Sequence, residues 1–415
     1  MINDNDIVNA NKLWQSFKKV SKHTSWKSGT KDFRINILEN ISDIQKEFKN
    51  NSYKPNSLFK FKIHERGRIR VIKAHNIKER VIHRSLCDNR LFPEIRKRII
   101  YDNYASLENR GTSRALKRFS IMLRKAHNQY GDEAVVVLMD FSKYFDNIEH
   151  KRVISQFSKF LSNEDLNVIR LYLEQFKVDV SFLSDDELKE FLSKPFNMVD
   201  YDLLPDDIKT GKKFIDKSVG IGGEPSQAIG VYYPHEIDNF VKIVLGIKYY
   251  GRYMDDSFFI AKNKQEANLI YDKIVSKCKE LGIFINKKKV MFKNIRDNIT
   301  FLKINFRLQN DGKLIKKVNH LIFQRELKRL RKHRKMLNEK RIDFDSVYNS
   351  FRSVVGTYKR FNSNYKILRL QKYFNELFSK EVLQYERKKQ RQKTKTDTRN
   401  YRFTAPFNIE YKRDW

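Results

Sequence analysis

Two spacings of hydrophobic residues alternate along this chain, one typical of strands and one typical of helices. Residues 134–139 are apolar without interruption, as in a strand that is buried on both faces. Further along, two β-prone segments, Ile247 to Tyr250 and Ser257 to Ile260, flank a short polar turn. We interpret them as the two strands of a hairpin.

Helical spacing follows each of these strand segments. Apolar residues recur at helical intervals over residues 153–161 and again over 265–281, and the short run 283–285 is strand-like. The order is therefore strand, helix, strand, strand, helix, strand. This is the split βαβ plan, which predicts an α+β fold with an antiparallel sheet in which the first strand neighbours the hairpin.

The rest of the chain extends this central unit. Residues 59–72 alternate as a basic hairpin, residues 300–313 predict another hairpin turning at 310–312, and the chain beyond 319 is helical and basic. The first segment is predicted to be helical, with these apolar anchors: Leu13, Trp14, Phe17, Trp26, Ile35, Ile37, Leu38, Ile41 and Ile44. The predicted divisions are 1–55 (helical extension), 56–310 (central unit, with a polar insertion at 176–217), 311–386 (basic helices) and 387–415 (basic tail).

Three aspartates stand at the ends of the predicted strands. Asp140 ends the buried strand, and Asp255 and Asp256 occupy the tip of the hairpin. If the two elements are neighbours in one sheet, the three carboxylates converge although more than a hundred residues separate them in sequence. Such a group suits hard divalent cations and two-metal phosphoryl chemistry, whereas an isolated Asp-Asp pair is more often a solvated turn.

The charge of the chain points to a polyanionic partner. With 85 Lys and Arg against 50 Asp and Glu, the formal net charge is +35. No apolar run approaches transmembrane length, so nucleic acid is preferred over a membrane surface. The polar N-terminus predicts no secretory signal, and Cys87 and Cys278 are too far apart for a zinc site, so we expect a cytoplasmic protein with both cysteines in its core.

Two basic features near the central unit are ambiguous on their own. Arg68 and Arg70 lie on the returning strand of the first hairpin, where they either bind an anion or protect a sheet edge. Arg110 and Gly111 precede a helix whose start either binds a backbone phosphate or is an ordinary N-cap.

Taken together, the motifs resemble those of the reverse transcriptases. The resemblance is carried by the sequence from Tyr253 to Asp256, by Asp140 with Phe145, and by further segments in the family's order across residues 50–310. These segments are 68–72 with 79–82, 103–105 with 110–112, and 301–306. The resemblance implies a right-hand polymerase with fingers, a palm and a helical thumb. It also implies Mg²⁺-dependent synthesis of DNA from dNTPs on a template, with Mn²⁺ as the alternative ion.

The resemblance also implies roles for individual residues. Asp140, Asp255 and Asp256 would hold the metals and be catalytic, and Phe145 would exclude a ribose 2′-OH, although core packing alone would also explain that ring. The implied nucleotide-binding residues are Arg68, Arg70, Phe145, Gln227 and Lys288, the last within a run of three lysines. The implied nucleic-acid-binding residues are Arg110, Gly111, Tyr253, Lys328 and Arg331.

Some motifs depart from the common pattern of the family. Residues 221–227 replace its usual Gly-Leu-Pro-Gln-Gly block, the expected glycine after Phe301 and Leu302 is Lys303, and the expected fingers aspartate is Glu79. The sequence of 221–227 is closer to the Ile-Gly then Ser-Gln pattern of the diversity-generating group. On the whole, however, the chain most resembles compact bacterial reverse transcriptases of the abortive-infection and defence-associated groups, with the diversity-generating group next.

The resulting hypothesis is an RNA-directed DNA polymerase that copies a dedicated noncoding RNA in antiphage defence. A diversity-generating or group II intron-type reverse transcriptase is the alternative enzyme. A non-catalytic RNA-binding protein or splicing chaperone is the alternative of another class, and it would have no reason to keep the three aspartates. The subgroup, the template, the mode of priming, untemplated synthesis and a homo-oligomeric state stay open.

Overall fold

A computed structural model describes residues 7–65 and 68–396, with the side chains of 65, 68 and 386–396 left undescribed. The predicted tail beyond residue 396 therefore lies outside the described residues. The chain divides into two compact units, residues 1–297 and 298–415. Within the described ranges, no helix is both long and apolar enough to cross a membrane.

The secondary-structure elements are as follows. The strands are β1 (Phe59–Glu65), β2 (Arg68–Ala74), β3 (Val135–Asp140), β4 (Val178–Asp179), β5 (Phe214–Ile215), β6 (Tyr250–Tyr253), β7 (Asp256–Ala261), β8 (Met291–Asn294), β9 (Ile299–Phe301), β10 (Ile304–Leu308) and β11 (Leu314–Val318). The helices of the first unit are α1 (Ala10–Ser21), α2 (Ser28–Ile35), α3 (Ile37–Lys49), α4 (Ile77–Leu86), α5 (Phe92–Arg98), α6 (Thr112–Tyr130), α7 (His150–Phe157), α8 (Asn163–Glu174), α9 (Asp185–Ser193), α10 (Met198–Tyr201), α11 (Glu224–Tyr232), α12 (His235–Asn239) and α13 (Lys264–Glu280). Those of the second unit are α14 (His320–Asn338), α15 (Phe344–Lys359) and α16 (Asn364–Thr396).

The central sheet has the strand order β6-β7-β3-β8, with every neighbouring pair antiparallel. All six residues of β3 are buried, as its uninterrupted apolar sequence predicts. On one face of the sheet, Phe258 packs edge-to-face against Phe119 of α6, with ring centroids 4.6 Å apart. Ile270 and Ile274 of α13 belong to the core on the opposite face. The predicted adjacency of β3 and the hairpin is confirmed.

Two strand boundaries differ from the prediction. The hairpin begins at Tyr250, not Ile247, because Gly246 turns the chain with φ of +65° after a π-helical turn at residues 240–244. The fourth strand is β8 and not residues 283–285. That segment runs past the end of β3, where only Ile285 makes a bridge to Phe141, and the chain pairs along β3 after a 3-10 turn.

The N-terminal helices bury fewer of the predicted anchors than expected. Leu13, Phe17, Ile41 and Ile44 are buried. Trp26, Ile35 and Leu38 are wrong as anchors, with exposed fractions of 71%, 77% and 82%. Trp26 lies in the turn between α1 and α2. Helices as short as α2 and α3 turn only one face inward, and the side chains of Ile35 and Leu38 lie on the other.

The predicted insertion folds into a small substructure. Strands β4 and β5 pair, and α9 begins with a capping box between Ser184 and Glu187. A small core joins the segment to Val71 of β2. The other buried members of this core are Val178, Val180, Phe196, Met198 and Ile215. Despite its polar composition, the segment is therefore a packed part of the first unit.

The second unit combines a sheet with long helices. Its strands have the order β11-β10-β9, and the predicted turn between β10 and β11 contains Gly312 with φ of +76°. Helices α15 and α16 share an aromatic cluster in which Phe351 and Phe374 stack with centroids 4.0 Å apart.

Both cysteines lie in the first unit. Cys87 and Cys278 are free and buried, as expected.

Candidate active site

The three aspartates come together at one end of the central sheet. Asp140, the last residue of β3, is the register partner of Asp256, the first residue of β7. The backbone N–H of Phe141 donates to the carbonyl of Asp255 at 3.2 Å. The pairing of β3 with β7, and of β7 with β6, thus brings together residues that are more than a hundred positions apart in sequence. The predicted convergence is observed.

A fully buried arginine holds the turn that carries Asp255. Arg252 donates from Nε and Nη2 to the two carboxylate oxygens of Asp238, at 2.8 and 2.7 Å, and both side chains have an exposed fraction of 0%. Its Nη1 also donates to the carbonyl of Met254 at 2.9 Å. Met254 has φ of +56°, a left-handed conformation that is costly for a non-glycine residue.

Sequence reasoning missed this pair, although one signal for it was present. Arg252 belongs to a strand whose neighbours are apolar or aromatic, and a charged residue there needs a buried partner. Tyr250 completes the network by donating its hydroxyl to Asp238 at 2.7 Å. The sequence around Arg252 showed that its charge needs a buried partner, but it did not show that Asp238 is that partner.

The electrostatics of the site favour a bound cation. Burial and then the nearby charge of Asp140 raise the pKa of the Asp255 carboxyl to about 6, against a weaker opposing effect of Lys289. The Lys289 Nζ lies 2.6 Å from Asp140 Oδ2. Two carboxylates that repel each other in a buried site are the donor set that a hard divalent ion neutralises. Within the described part of the chain, no three His, Cys, Asp or Glu side chains are already arranged around one metal position.

The lysine beside the aspartates is Lys289, whereas the sequence favoured Lys288. Both lysines are exposed, but of the two it is Lys289 that lines the cavity next to the aspartates. Residues 287–289 form a single 3-10 turn, so neighbouring side chains in the run point in different directions. The register within a run of identical residues could not be read from the sequence.

A cavity of about 340 Å³ opens beside Asp140 and Asp255. It is large enough for a small polar ligand such as a nucleotide. Six parts of the chain line it: β2, the end of β3 with the segment after it, the insertion, the loop at 221, the β6–β7 turn at 255, and the loop at 286–289. The lining residues are Ile69, Arg70, Val71, Asp140, Phe141, Ser142, Lys143, Tyr144, Phe145, Asp146, Asn197, Met198, Val199, Ile221, Asp255, Asn286 and Lys289.

Phe145 belongs both to the cavity and to the core. Its ring lines the cavity, is half-buried and packs against the core. A Cβ at Gly230 would come within 2.9 Å of this ring, so only glycine leaves room for it. The Tyr144 hydroxyl donates to the Gly230 carbonyl at 2.8 Å. The two interpretations of Phe145 that the sequence allowed are therefore compatible.

The two arginines of the first hairpin differ in what the structure describes. Arg70 lines the cavity, and its backbone pairs with Ile63. The backbone of Arg68 pairs with Glu65, but its side chain lies outside the described residues. The predicted roles of both in binding a nucleotide stay predictions.

The other predicted contacts lie outside this cavity. Gln227 is exposed on α11 and does not line the cavity. Arg110 donates to the backbone carbonyls of Tyr101 and Asn103, which gives it a structural task whatever else it binds. Gly111 is the N-cap of α6, with φ of +111°.

Three further predicted contacts lie at the β6–β7 turn and in the second unit. The Tyr253 hydroxyl accepts a hydrogen bond from Thr112 at 3.4 Å. In the second unit, Lys328 and Arg331 are exposed on α14, and Arg331 donates to the Tyr373 hydroxyl at 2.5 Å. Their predicted role in nucleic-acid binding stays a prediction.

Comparison with known proteins gives one family match. Residues 53–306 match the family described as reverse transcriptase (RNA-dependent DNA polymerase). A sequence search of curated proteins gives no match. Among solved structures, the chain is similar to telomerase from Candida albicans in complex with a TWJ fragment of telomeric RNA, with 12% identity and a TM-score of 0.43. That match covers 69% of this chain and 52% of the telomerase chain, so this chain spans about half of its length.

Proposed function

We propose that this chain, which belongs to the reverse transcriptase (RNA-dependent DNA polymerase) family, synthesises DNA from dNTPs on an RNA template by nucleotidyl transfer. The observation that carries the proposal is that Asp140 and Asp255 line one cavity beside the β6–β7 turn, while Asp256 is the register partner of Asp140 on the neighbouring strand. A solvated acidic turn would have no reason to lie against a buried strand that ends in a third carboxylate.

The carboxylates of Asp140, Asp255 and Asp256 would hold Mg²⁺, with Mn²⁺ as the alternative ion, because hard divalent ions prefer carboxylate oxygens as ligands. Divalent ions held there would stabilise the charge on the attacking and leaving oxygens of an in-line displacement. The raised pKa of Asp255 agrees with this assignment, because burial and then the charge of Asp140 disfavour its ionised form, and a bound cation would offset both effects. Lys289 supplies part of that counter-charge through its contact with Asp140.

The protein's own residues define where the nucleotide would lie. Arg70, Lys143 and Lys289 line the cavity and would attract the triphosphate. Phe145 forms an apolar wall, and a bulky ring there would exclude the 2′-OH of a ribonucleotide. The backbone beneath Asp255 is held by Arg252, so the carboxylate is positioned before any ligand arrives.

The test replaces the carboxylates at the hairpin tip. The Asp255→Asn, Asp256→Asn double variant should lose dNTP incorporation on a primed RNA template, because neutral amides neither bind the ions nor balance their charge. Asp272→Asn, an exposed change on α13, is the matched control and should incorporate dNTPs like the natural chain. The assignment fails if the double variant is folded, binds the primed template and incorporates dNTPs at the unchanged rate.

The biological template is proposed separately. We propose a dedicated noncoding RNA as the template and antiphage defence, in the cytoplasm, as the setting. The support is the overall resemblance to the defence-associated group, with which the length of the chain, the insertion at 176–217 and the basic helices after residue 319 agree. The sequence of residues 221–227 is closer to the Ile-Gly then Ser-Gln pattern of the diversity-generating group, which is the alternative. Sequencing the nucleic acids that copurify with the protein tests it. One enriched noncoding RNA with complementary DNA supports the proposal, whereas an intron RNA or a variable-repeat transcript identifies the alternative groups.

A further inference from the structure

We propose that residues 197–199 of the inserted segment form a wall of the nucleotide cavity, and that the backbones of Phe196 and Met198 hold the turn that carries Phe145. The insertion would then set the affinity and sugar selectivity for the incoming nucleotide. The inference rests on the proposed function. It assigns to the insertion a part in the active site that its polar sequence did not indicate.

The first observation is a reciprocal hydrogen-bonded clamp between the Phe145 turn and the insertion. The side-chain amide of Asn147 donates to the carbonyl of Phe196 at 2.9 Å, and the N–H of Phe196 donates back to Asn147 Oδ1 at 2.8 Å. The side-chain amide of Asn147 thus makes the two hydrogen bonds to the Phe196 backbone that a residue of a neighbouring strand would make. One residue earlier, Asp146 Oδ2 accepts the N–H of Met198 at 3.1 Å.

The second observation is that the clamp is buried. Asn147, Phe196 and Met198 have exposed fractions of 4%, 4% and 6%. Buried polar groups that lose their partners cost more than exposed ones, so the two segments are held firmly together. The same Asn147 amide donates to the carbonyl of Lys143 at 2.9 Å, which ties the clamp to the start of the turn. A shift of the insertion therefore shifts the turn that carries Phe145.

The third observation is that the insertion is anchored on the opposite side of the cavity as well. Its small core includes Val71, the neighbour of Arg70 on β2. Lys60 of β1 lies 2.6 Å from Asp202, whose side chain has an exposed fraction of only 1%. The segment thus joins the strand that carries Arg70 to the turn that carries Phe145.

The chemistry of this wall indicates what it does. Asn197, Met198 and Val199 line the cavity, and all three are uncharged. They add no charge that would attract a triphosphate, and none of the three side chains is an acid or a base that could transfer a proton. Their contribution is shape, because a close-packed wall fixes where the sugar and base fit beside Phe145. We therefore expect the insertion to act on the KM for the nucleotide and on sugar selectivity more than on kcat.

The first variant breaks the clamp. Asn147→Ala should raise the KM for dNTPs about tenfold and reduce the preference for dNTPs over rNTPs about fivefold, with kcat changed less than about twofold, as expected for the loss of buried hydrogen bonds. Ser184→Ala is the matched control, because it removes a helix cap within the same insertion but away from the cavity. It should leave KM and selectivity unchanged.

A second variant separates the wall from the stability of the fold. Val199→Trp breaks no hydrogen bond and places a large side chain at the cavity. It should raise the KM for dNTPs at least as much as Asn147→Ala does, with the thermal midpoint of unfolding unchanged. If both variants are folded and keep the natural KM and selectivity, the inference is overturned while the proposed function stands.

Nucleotide binding distinguishes the remaining outcomes. Titration with dATP carrying a fluorescent group on its 3′-oxygen, in the presence of Mg²⁺, needs no turnover. If the natural chain incorporates nothing but binds this probe, and both variants weaken binding, the wall is supported and the proposed polymerase activity is not. If the natural chain neither binds the probe nor incorporates dNTPs, both proposals are overturned.

Discussion

Phe145 shows how closely the core and the candidate site are coupled at the scale of one residue. Its ring lines the cavity on one side and meets Gly230 of α11 on the other. A Cβ on Gly230 would lie 2.9 Å from the ring, closer than real Cβ atoms approach neighbouring atoms. The position of the ring therefore depends on the absence of a side chain on another helix.

Two substitutions should distinguish the contact of the Phe145 ring with the cavity from its contact with Gly230. Phe145→Ala should increase ribonucleotide incorporation, because it removes the ring that would exclude a 2′-OH. Gly230→Ala should instead reduce dNTP incorporation, because the added methyl displaces the ring towards the cavity. Single-nucleotide incorporation with dNTPs and rNTPs measures both effects.

The control for Gly230→Ala is Gly356→Ala on α15. Nothing lies within 4 Å of a Cβ at Gly356, so this change should leave incorporation unchanged and stabilise its helix by up to about 1 kcal/mol. If Phe145→Ala leaves ribonucleotide use unchanged, Phe145 is a core residue only.

At the scale of elements, the β6–β7 hairpin depends on one buried ion pair. Arg252 links Asp238 of α12 to the carbonyl of Met254 in the turn. The pair is fully buried, so each charge needs the other. The hairpin thus presents Asp255 at a position set by a helix that lies earlier in the chain.

Removing one member of this pair should be strongly destabilising. Asp238→Ala leaves the Arg252 guanidinium without its carboxylate and should lower the free energy of unfolding by about 3–5 kcal/mol. Asp43→Ala breaks an exposed pair with Lys46 and should cost less than about 1 kcal/mol. Denaturant unfolding of both variants measures the difference. Equal small losses would mean that Arg252 finds other partners.

A second element-scale feature is a pair of buried histidines between β2 and α8. His75 follows β2, His83 lies on α4, and their ring centroids are 4.7 Å apart. Both also contact Tyr172 of α8. Burial lowers the pKa of His75 and lowers that of His83 well below 6.5, and in His83 the neighbouring His75 adds to the effect.

This pair predicts a loss of stability in acid. Because the folded-state pKa values lie below the ordinary value of 6.5, the unfolded chain binds more protons as the pH falls. The stabilising contribution is present above pH 6.5 and is lost as the pH falls below it. His83→Phe should reduce this slope by up to about 1.4 kcal/mol per pH unit.

Denaturant unfolding at several pH values between about 7.5 and 5.5 checks that slope. His23→Phe, a change of an exposed histidine, is the control and should leave the slope unchanged. An unchanged slope in His83→Phe would mean that His83 binds protons equally in the folded and unfolded states, which contradicts the lowered pKa.

At the scale of the whole molecule, the net charge of +35 is the dominant property. Charge of this size exceeds what the fold needs, since the buried acids already have specific partners such as Arg252 for Asp238. The excess positive charge can therefore bind a polyanion. Together with the family match over residues 53–306, it supports RNA and DNA as the partners of the proposed reaction.

Affinity for RNA should therefore fall steeply with salt. If about six phosphates are contacted, the association constant should decrease about a thousandfold between about 50 and 200 mM monovalent salt, because bound counterions are released on binding. Fluorescence anisotropy of a labelled RNA measures the slope, and thermal unfolding across the same range checks that the fold is unchanged. A salt-independent affinity would contradict an electrostatic interface.

The sequence by itself determined the order of the central elements and the three aspartates. This was possible because the signals are local: β3 is an uninterrupted apolar run, and the acids follow directly at its end and at the hairpin tip. Convergence then followed from the topology, since antiparallel neighbours must meet at their ends. The weaker predictions were strand positions: the turn at Gly246 moves the start of the hairpin by three residues, and the fourth strand is β8 and not residues 283–285.

Only the tertiary structure decided which side chains complete the site. Lys289 and not Lys288 contacts Asp140 because a 3-10 turn orients a run of identical residues. Asp238 pairs with Arg252, and Asn147 pairs with Phe196, because packing brings together elements that are distant in sequence. Hydrophobic periodicity records which face of an element is buried, but it carries no information on what that face meets.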